Sequence, residues 1–303
     1  MNIDFVVPYV NCEDEQWRKL YEEQSLLHGR KIMKNSVRYR DYGTFKYLFR
    51  GIAENMPWIR TVHLIVQSES QVPKWINRDT VHIVLHDQII NYRNLPTYNS
   101  GTIEMYINNI PGLSEYFLYG NDDMFPLNPT TPEDWFDGNG NPKIKIRTCP
   151  FAPNHKMYRH MLKNTENVCR DILGKNHVNN KVLRADHNIN PMRKSTWDYV
   201  WQKAGEKLEN SCSTFREAKN ITQEISNFYS YLSGNYTLHT RQNKYIEFKA
   251  RSYDEISKLI THSQYHCLCI NDTGCDDFDK TKRILVKSFE KKYPNPCKYE
   301  VNV

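Results

Sequence analysis

Apolar positions along the chain switch between a period of two or less and a period near 3.6. Ile3, Phe5, Val6, Val7 and Val10 make an apolar run over Asn2 to Val10, which predicts a first strand. A polar loop from Tyr9 to Asp14 follows, and Glu15 to Leu27 reads as a helix. Phe45, Leu48, Phe49 and Ile52 share one helical face, and Pro57 stops that helix. Strands are predicted over Thr61 to Gln67 and Val81 to Leu85. The loop Leu95 to Ser100 then runs into a helix near Thr102 to Asn109. Tyr116 to Tyr119 is the next buried strand. This β-α-β alternation implies an α/β fold with a mainly parallel sheet and helices on both faces.

Beyond it, Pro, Thr, Asp and Gly accumulate from Asn128 to Asn141 and mark a turn-rich connection. Lys143 to Cys149 is a candidate strand, and the region after it reads mostly helical, with Ser195 to Leu208 one segment. Thr214-Phe215-Arg216-Glu217 has the form of a capping box opening another helix. Ile221, Ile225, Phe228 and Leu232 would be its buried stripe, with Gly234 closing it. That reading sets Arg216 in a first turn. A bare cation is unfavourable there unless an anion also binds. His266 to Ile270 predicts a late strand ending in Asn271-Asp272, and Phe278 to Lys292 a last helix.

The chemistry concentrates after Tyr119. Gly120 is followed by Asn121, Asp122 and Asp123, a carboxylate pair just past a strand end, where open α/β sheets place their ligands. Adjacent carboxylates repel unless a positive group lies between them, and a divalent metal bridging to a diphosphate meets that need. The competing reading is a solvated Asp-Asp turn. The late strand repeats the theme with Asn271-Asp272. Its acidic neighbours lack the glycine and glutamate positions of an EF-hand loop. His86 and Asp87 read as a plain polar loop pair, and Trp58 and Trp75 as packing residues.

Composition narrows the class without choosing a reaction. The chain has 303 residues, 13% aromatic, with a formal charge of +6. That charge suits nucleotides, sugar phosphates or an acidic membrane face, and is too dispersed to argue nucleic acid. No apolar run approaches a membrane span and no basic-then-apolar leader opens the sequence, so the expected compartment is the cytoplasm. Peripheral association with the inner membrane face is left open. The eight cysteines are expected to be reduced thiols, and Cys267-Leu268-Cys269 has the wrong spacing for zinc. No glycine-rich phosphate loop is present.

Four ordered blocks carry a resemblance. They are Ile3 to Asn11; Arg38 to about Phe136, with Arg40-Asp41, Pro57-Trp58, Pro73-Lys74-Trp75, Leu95 to Ser100, Ile103-Glu104 and Asn121-Asp122-Asp123; His187 through Arg216; and Cys269 to Asp272 with Phe289, Pro294 and Glu300. In these the chain resembles the Stealth family of sugar-phosphate transferases. That family includes bacterial capsule and exopolysaccharide phosphotransferases and the catalytic subunits of the animal GlcNAc-1-phosphotransferase. Tyr9 stands where that family usually has Trp, and Cys12 where Gly is common. His155 is an alternative head for the third block. His187 keeps the family-like spacing to Arg216.

The resemblance implies a nucleotide-diphospho-sugar transferase-like core with a helical segment over the cleft. Residues 1–145 would bind the nucleotide sugar, 146–240 would be a mostly helical catalytic and acceptor segment, and 241–303 would return to the core and complete the site. It implies transfer of a sugar-1-phosphate from a UDP- or CDP-type donor to a hydroxyl of a glycan or polyol, releasing nucleoside monophosphate. Asp122, Asp123, His187, Arg216 and Asp272 are the expected catalytic residues. Mg²⁺ or Mn²⁺ would sit on Asp123 and Asp272. Arg216 would neutralise phosphoryl charge, and either His187 or an aspartate would be the base. Expected around the donor are Asp4, Tyr9, Asn11, Asp14, Arg40, Asp41, Asn99, Ser100, Glu104, Asn121 and Asn271, although Asp4 could equally pair only within the sheet. The alternatives are a metal-dependent glycosyltransferase releasing nucleoside diphosphate, and a non-catalytic protein that binds anionic glycans.

Overall fold

The structure is a computed structural model that describes residues 1–32, 39–248 and 251–301. Arg38, the first residue of the second block, lies outside the described residues. The first half runs β1 (Ile3–Pro8), α1 (Glu15–Leu27), α2 (Phe45–Asn55), β2 (Ile59–Val66), β3 (Val81–Leu85), α3 (His86–Ile89), α4 (Ser100–Met105), β4 (Tyr116–Tyr119) and β5 (Met124–Pro126). There follow β6 (Lys143–Ile144), β7 (Ile146–Pro150), α5 (Met157–Ile172), β8 (Lys181–Ala185), β9 (Asn190–Arg193), α6 (Lys194–Ser211), α7 (Glu224–Ser233) and β10 (Thr237–Leu238). The chain ends with β11 (Asn243–Glu247), α8 (Tyr253–His262), β12 (Cys267–Asn271) and α9 (Phe278–Lys292).

The central sheet has the order β3-β2-β1-β4-β9. The first four strands are parallel and β9 runs antiparallel to β4. Side-chain alternation along β1 divides the core. Ile3, Phe5 and Val7 pack on the face covered by α2 and α9 residues such as Phe49 and Phe289. Val6 packs on the other face with Phe117 and Tyr119, toward Leu162, Trp197 and Phe228 of α5, α6 and α7. The expected α/β class, with helices on both faces of a mainly parallel sheet, is what the chain forms.

The three expected segments share sheets. β9, from the middle segment, pairs with β4. β12, from the last, pairs antiparallel with β5, which in turn lies against α2. At that contact a Cβ on Gly51 would meet the Pro126 carbonyl oxygen at 2.6 Å. β8 and β9 were not foreseen in the region read as mostly helical.

Gly120 does not take a left-handed conformation. Its N–H continues the ladder to the Val6 carbonyl at 3.1 Å. What requires glycine is space, since a Cβ would lie 3.0 Å from the Phe5 ring and 3.2 Å from Ile189. The capping box at Thr214 opens no helix, and residues 212–223 are a loop that ends where α7 begins at Glu224. Asn220 explains it. Its side chain accepts from the Glu217 N–H at 2.6 Å, the group the Thr214 hydroxyl would have to cap, and donates to the Ser211 carbonyl at 2.6 Å, which ties the loop to the end of α6. Gly234 closes α7 in the left-handed conformation, φ 85°, as expected.

Candidate active site

The parallel strands end along one edge, and the polar residues that follow them line one cavity of about 430 Å³. Gln67 follows β2, His86 follows β3, Tyr9 follows β1, and Asn121 to Asp123 follow β4. Because β9 is antiparallel, the loop before it reaches the same edge and brings His187 to the far end of the cavity. Ser100, Arg184, Arg216, Tyr245 and Asn271 also contribute polar groups to the lining.

Asp122 and Asp123 form an acidic floor. Burial, then the neighbouring Asp123 and Asp41, push the Asp122 carboxyl up to about 8. Burial pushes Asp123 up to about 6, with Asp272 adding to it and the Cys269 thiol opposing it. That thiol donates to Asp123 Oδ2 at 3.6 Å, while Oδ1 is buried with no hydrogen-bond partner. The Asp123 backbone is fixed by the Ile270 N–H, which donates to its carbonyl at 2.9 Å. Two carboxylates held in this way lack positive charge.

A basic wall faces them. Arg216 Nη2 donates to Ser100 Oγ. Its loop is pinned by the Tyr98 N–H donating to the Thr214 carbonyl at 2.8 Å and by Phe215 stacked on Tyr98 at 5.5 Å. Arg184 lines the same wall, and its Nε is buried without a partner. His187 packs edge-on against Tyr245, ring centroids 5.4 Å apart. Burial first, then Arg184 and Arg216, push it down to about 4, so the imidazole is neutral at working pH. Behind the wall, burial raises the Glu104 carboxyl while Arg216 opposes the rise. Glu104 accepts from Tyr119 OH at 3.0 Å and the Gln223 N–H at 3.2 Å.

The structure thus brings Asp122, Asp123, His187, Arg216, Tyr9, Ser100, Asn121 and Asn271 into one cavity. Arg40, Asp41 and Asp272 line a smaller adjoining cavity of about 180 Å³ that shares Asp122 and Asp123. Tyr9 OH links the two by donating to Asp41 at 3.3 Å.

Several expected donor contacts are corrected. Asp4 is fully buried at the opposite end of β1. There it accepts from Arg60 at 2.8 Å twice, the Ser114 N–H at 2.8 Å and His63 at 3.0 Å. Asp14 caps α1 by accepting from the Trp17 N–H at 3.0 Å. Asn11 shapes the loop after β1 through Gln71, its N–H donating at 2.7 Å. Asn99 caps α4 and donates to Asn220 at 3.0 Å, so it holds the Arg216 loop from behind. Glu104 lies behind the lining. His155 accepts from the Ala152 N–H at 3.0 Å in a loop of its own and is not among the cavity residues.

The metal expectation divides. Asp272 does not fit. Its carboxylate accepts from Arg40 at 2.5 and 2.8 Å, from Tyr42 OH at 2.9 Å and from the Gly274 N–H at 2.8 Å, leaving no oxygen in need of a cation. Asp122 and Asp123 fit, because their raised carboxyls and the unpartnered Asp123 Oδ1 are what a cation would relieve. Among the described residues no group of three or more His, Cys, Asp or Glu is gathered as a metal site.

Sequence reasoning missed Arg184 and Gln67, and it read His86 as part of a plain polar loop pair, whereas His86 opens α3 and lines the cavity. Gln67 and His86 each directly follow a strand of the parallel sheet, the same position that drew attention to Asp122, so the signal was present. Arg184 carried none, because β8 was unrecognised.

Fold and site define an α/β protein with acidic and basic walls facing each other across a cleft at its strand ends. Residues 38–144 match the family described as Stealth protein CR2, conserved region 2. The chain is 28% identical over 99% of its length, and 99% of the relative's, to the receptor polysaccharide phosphotransferase WefC of Streptococcus gordonii. It is 29% identical, over 99% of itself and 96% of the relative, to the exopolysaccharide phosphotransferase cps2G of Lactiplantibacillus plantarum. The chain is thus similar to the Stealth family over its second conserved region, and to polysaccharide phosphotransferases over nearly its whole length. A solved structure of an inositol-1-phosphate CTP transferase from T. maritima aligns over 96% of this chain and 97% of its own, at 11% identity and a TM-score of 0.36. At that score the fold class rests on the sheet described above. All eight cysteines are free, and no helix among the described residues is long and apolar enough to cross a membrane.

Proposed function

We propose that this chain transfers a sugar-1-phosphate from a nucleotide-diphosphate sugar to a hydroxyl of a glycan acceptor, releasing nucleoside monophosphate, in capsule or exopolysaccharide synthesis. It is a transferase of the phosphate-transfer type, as are the relatives named above. The observation that carries the finer reading is the meeting of Asp122 and Asp123 with Arg184, Arg216 and a neutral His187 around one cavity.

The acceptor oxygen forms a bond to the phosphorus bearing the sugar. The bond from that phosphorus to the bridging oxygen breaks, and the bridging oxygen leaves with the nucleoside phosphate. Such a reaction needs positioning and charge neutralisation more than covalent catalysis. Arg216 and Arg184 offer planar donors to the phosphoryl oxygens. Ser100 and the Asn220-pinned loop hold Arg216 in place before substrate arrives, so little reorganisation is needed. His187 takes the acceptor proton. Its low basicity rises once a diphosphate offsets Arg184 and Arg216, since an adjacent anion favours imidazolium. Asp122 and Asp123 would hold Mg²⁺ or Mn²⁺, which when bound would neutralise diphosphate charge.

The test is product identity. Purified protein incubated with nucleotide sugars and a glycan acceptor should yield nucleoside monophosphate and a phosphodiester-linked sugar by mass spectrometry. Nucleoside diphosphate with a glycosidic product would overturn the reading in favour of a glycosyltransferase.

A further inference from the structure

One lobe of the cavity is unused by the chemistry above. It lies at the ends of β2 and β3, on the side away from His187, and two of its side chains carry buried atoms without hydrogen-bond partners, Gln67 Oε1 and His86 Nδ1. Tyr98 OH lies beside them, in hydrogen-bonding reach of the Gln67 side chain. His86 is 5% exposed, so bulk water does not serve it well. Buried polar atoms left unpaired are costly, and two side by side in one lobe are what a ligand would relieve.

We propose that Gln67, His86 and Tyr98 form the subsite that reads the nucleobase of the donor. The inference rests on the nucleotide-sugar reading and assigns residues to the end of the ligand that reading leaves unplaced. The register makes the lobe continuous: Val66 pairs with Leu85, so Gln67 and His86 are neighbours across the β2–β3 edge. Adjacent strands are about 4.8 Å apart, which sets this lobe roughly 10–15 Å along the edge from the end of β4. That spacing leaves room for a ribose between a base here and phosphates beside Asp122 and Arg216. Trp17 and Tyr39, packed edge-to-face with centroids 5.2 Å apart, also line the cavity, and aromatic side chains are a common stacking surface for bases. A side-chain amide presents one donor and one acceptor in a plane, as a pyrimidine or purine edge does. Burial pushes His86 down to about 3, so its imidazole is neutral and likewise offers one donor and one acceptor.

The experiment is calorimetry on the purified chain with UMP, CMP, AMP and GMP, and with ribose 5-phosphate as the probe lacking a base. The expected result is that one nucleotide binds at least about tenfold more tightly than ribose 5-phosphate. Gln67→Leu and Tyr98→Phe should each lose about 10- to 100-fold for that nucleotide and little for ribose 5-phosphate. His86→Leu should behave alike. Should it not fold, the other two variants decide, with melting curves as the folding control. Nucleotides binding no better than ribose 5-phosphate, or variants keeping the parent's discrimination, would overturn the assignment. Base discrimination lost in the variants, with no sugar phosphate ever transferred, would support the subsite and sink the functional reading. Transfer with an unaltered base preference in all the variants would do the reverse.

Discussion

Asp122→Asn should make the protein more stable, and increasingly so as pH rises. The wild-type carboxyl sits at about 8 in the fold because of burial, Asp123 and Asp41, against about 3.9 in an unfolded chain. Between those values the folded protein holds a proton that the unfolded one has lost. Folding stability therefore falls with rising pH, at most by about 1.4 kcal/mol per unit. Asparagine has no such proton. The side chain is only partly screened from solvent and its neighbour titrates too, so much of that maximum is lost. The expected gain of the variant over wild type grows by on the order of 2 kcal/mol from about pH 5 to about pH 8. For a chain this size that is a relative shift of roughly 3 °C in Tm. Thermal melts of both proteins in chelator, across that pH range, measure it. The other groups that titrate there, Glu224 at about 7 among them, cancel in the difference. Parallel Tm–pH curves would refute the claim that the pair is charge-starved.

Four further outcomes are expected. Mg²⁺ or Mn²⁺ should raise the Tm of wild type and support turnover, and Asp123→Asn should lose both effects while melting cooperatively; full activity in chelator would exclude the proposed ion site. Arg216→Lys should lower kcat by about 10²-fold, as for loss of one transition-state donor, whereas His187→Asn should keep donor binding by calorimetry and lose transfer together with the acidic limb of the pH–rate profile. Arg60→Ala should cost about 1–3 kcal/mol in denaturant titrations at neutral pH, discounted for the exposed guanidinium; Asp4 is held well below the usual carboxylate range, so its contribution exists above about pH 4 and the gap to wild type should close as pH falls further. Gly51→Ala should destabilise by at least about 1–3 kcal/mol, because its Cβ meets backbone that cannot rotate away.

Regular elements were legible where side-chain period and capping agreed. Glu15 to Leu27 and Phe278 to Lys292 form as expected, each opened by an aspartate, Asp14 and Asp277, that accepts from a first-turn N–H. The carboxylate pair was legible because an apolar strand ended just before it. The Thr214 motif misled because a box is only a local preference, and Asn220, six residues on, takes the Glu217 N–H that the box would use. Asp4 misled differently. A charged residue inside an apolar strand signals a buried partner as well as a ligand, and Arg60 and His63 come from β2, where no local pattern announces them. Asp272 shares the Asn-Asp form of the central motif, yet Arg40 meets it across 232 positions and supplies its carboxylate with a cation from the protein itself.

The pairing of β12 with β5 also has a temporal meaning. The loop bearing Asp123 is held by Ile270 and Cys269, the latter 146 positions further along the chain. Contacts this distant in sequence form late, after the loop between them has paid its closure entropy, and during synthesis they wait for the later segment to emerge. A growing chain that has reached β9 can already pair all five strands of the central sheet. Its carboxylate loop still lacks an anchor. Competence for chemistry is therefore acquired only with the arrival of β12, long after the carboxylates themselves have been made.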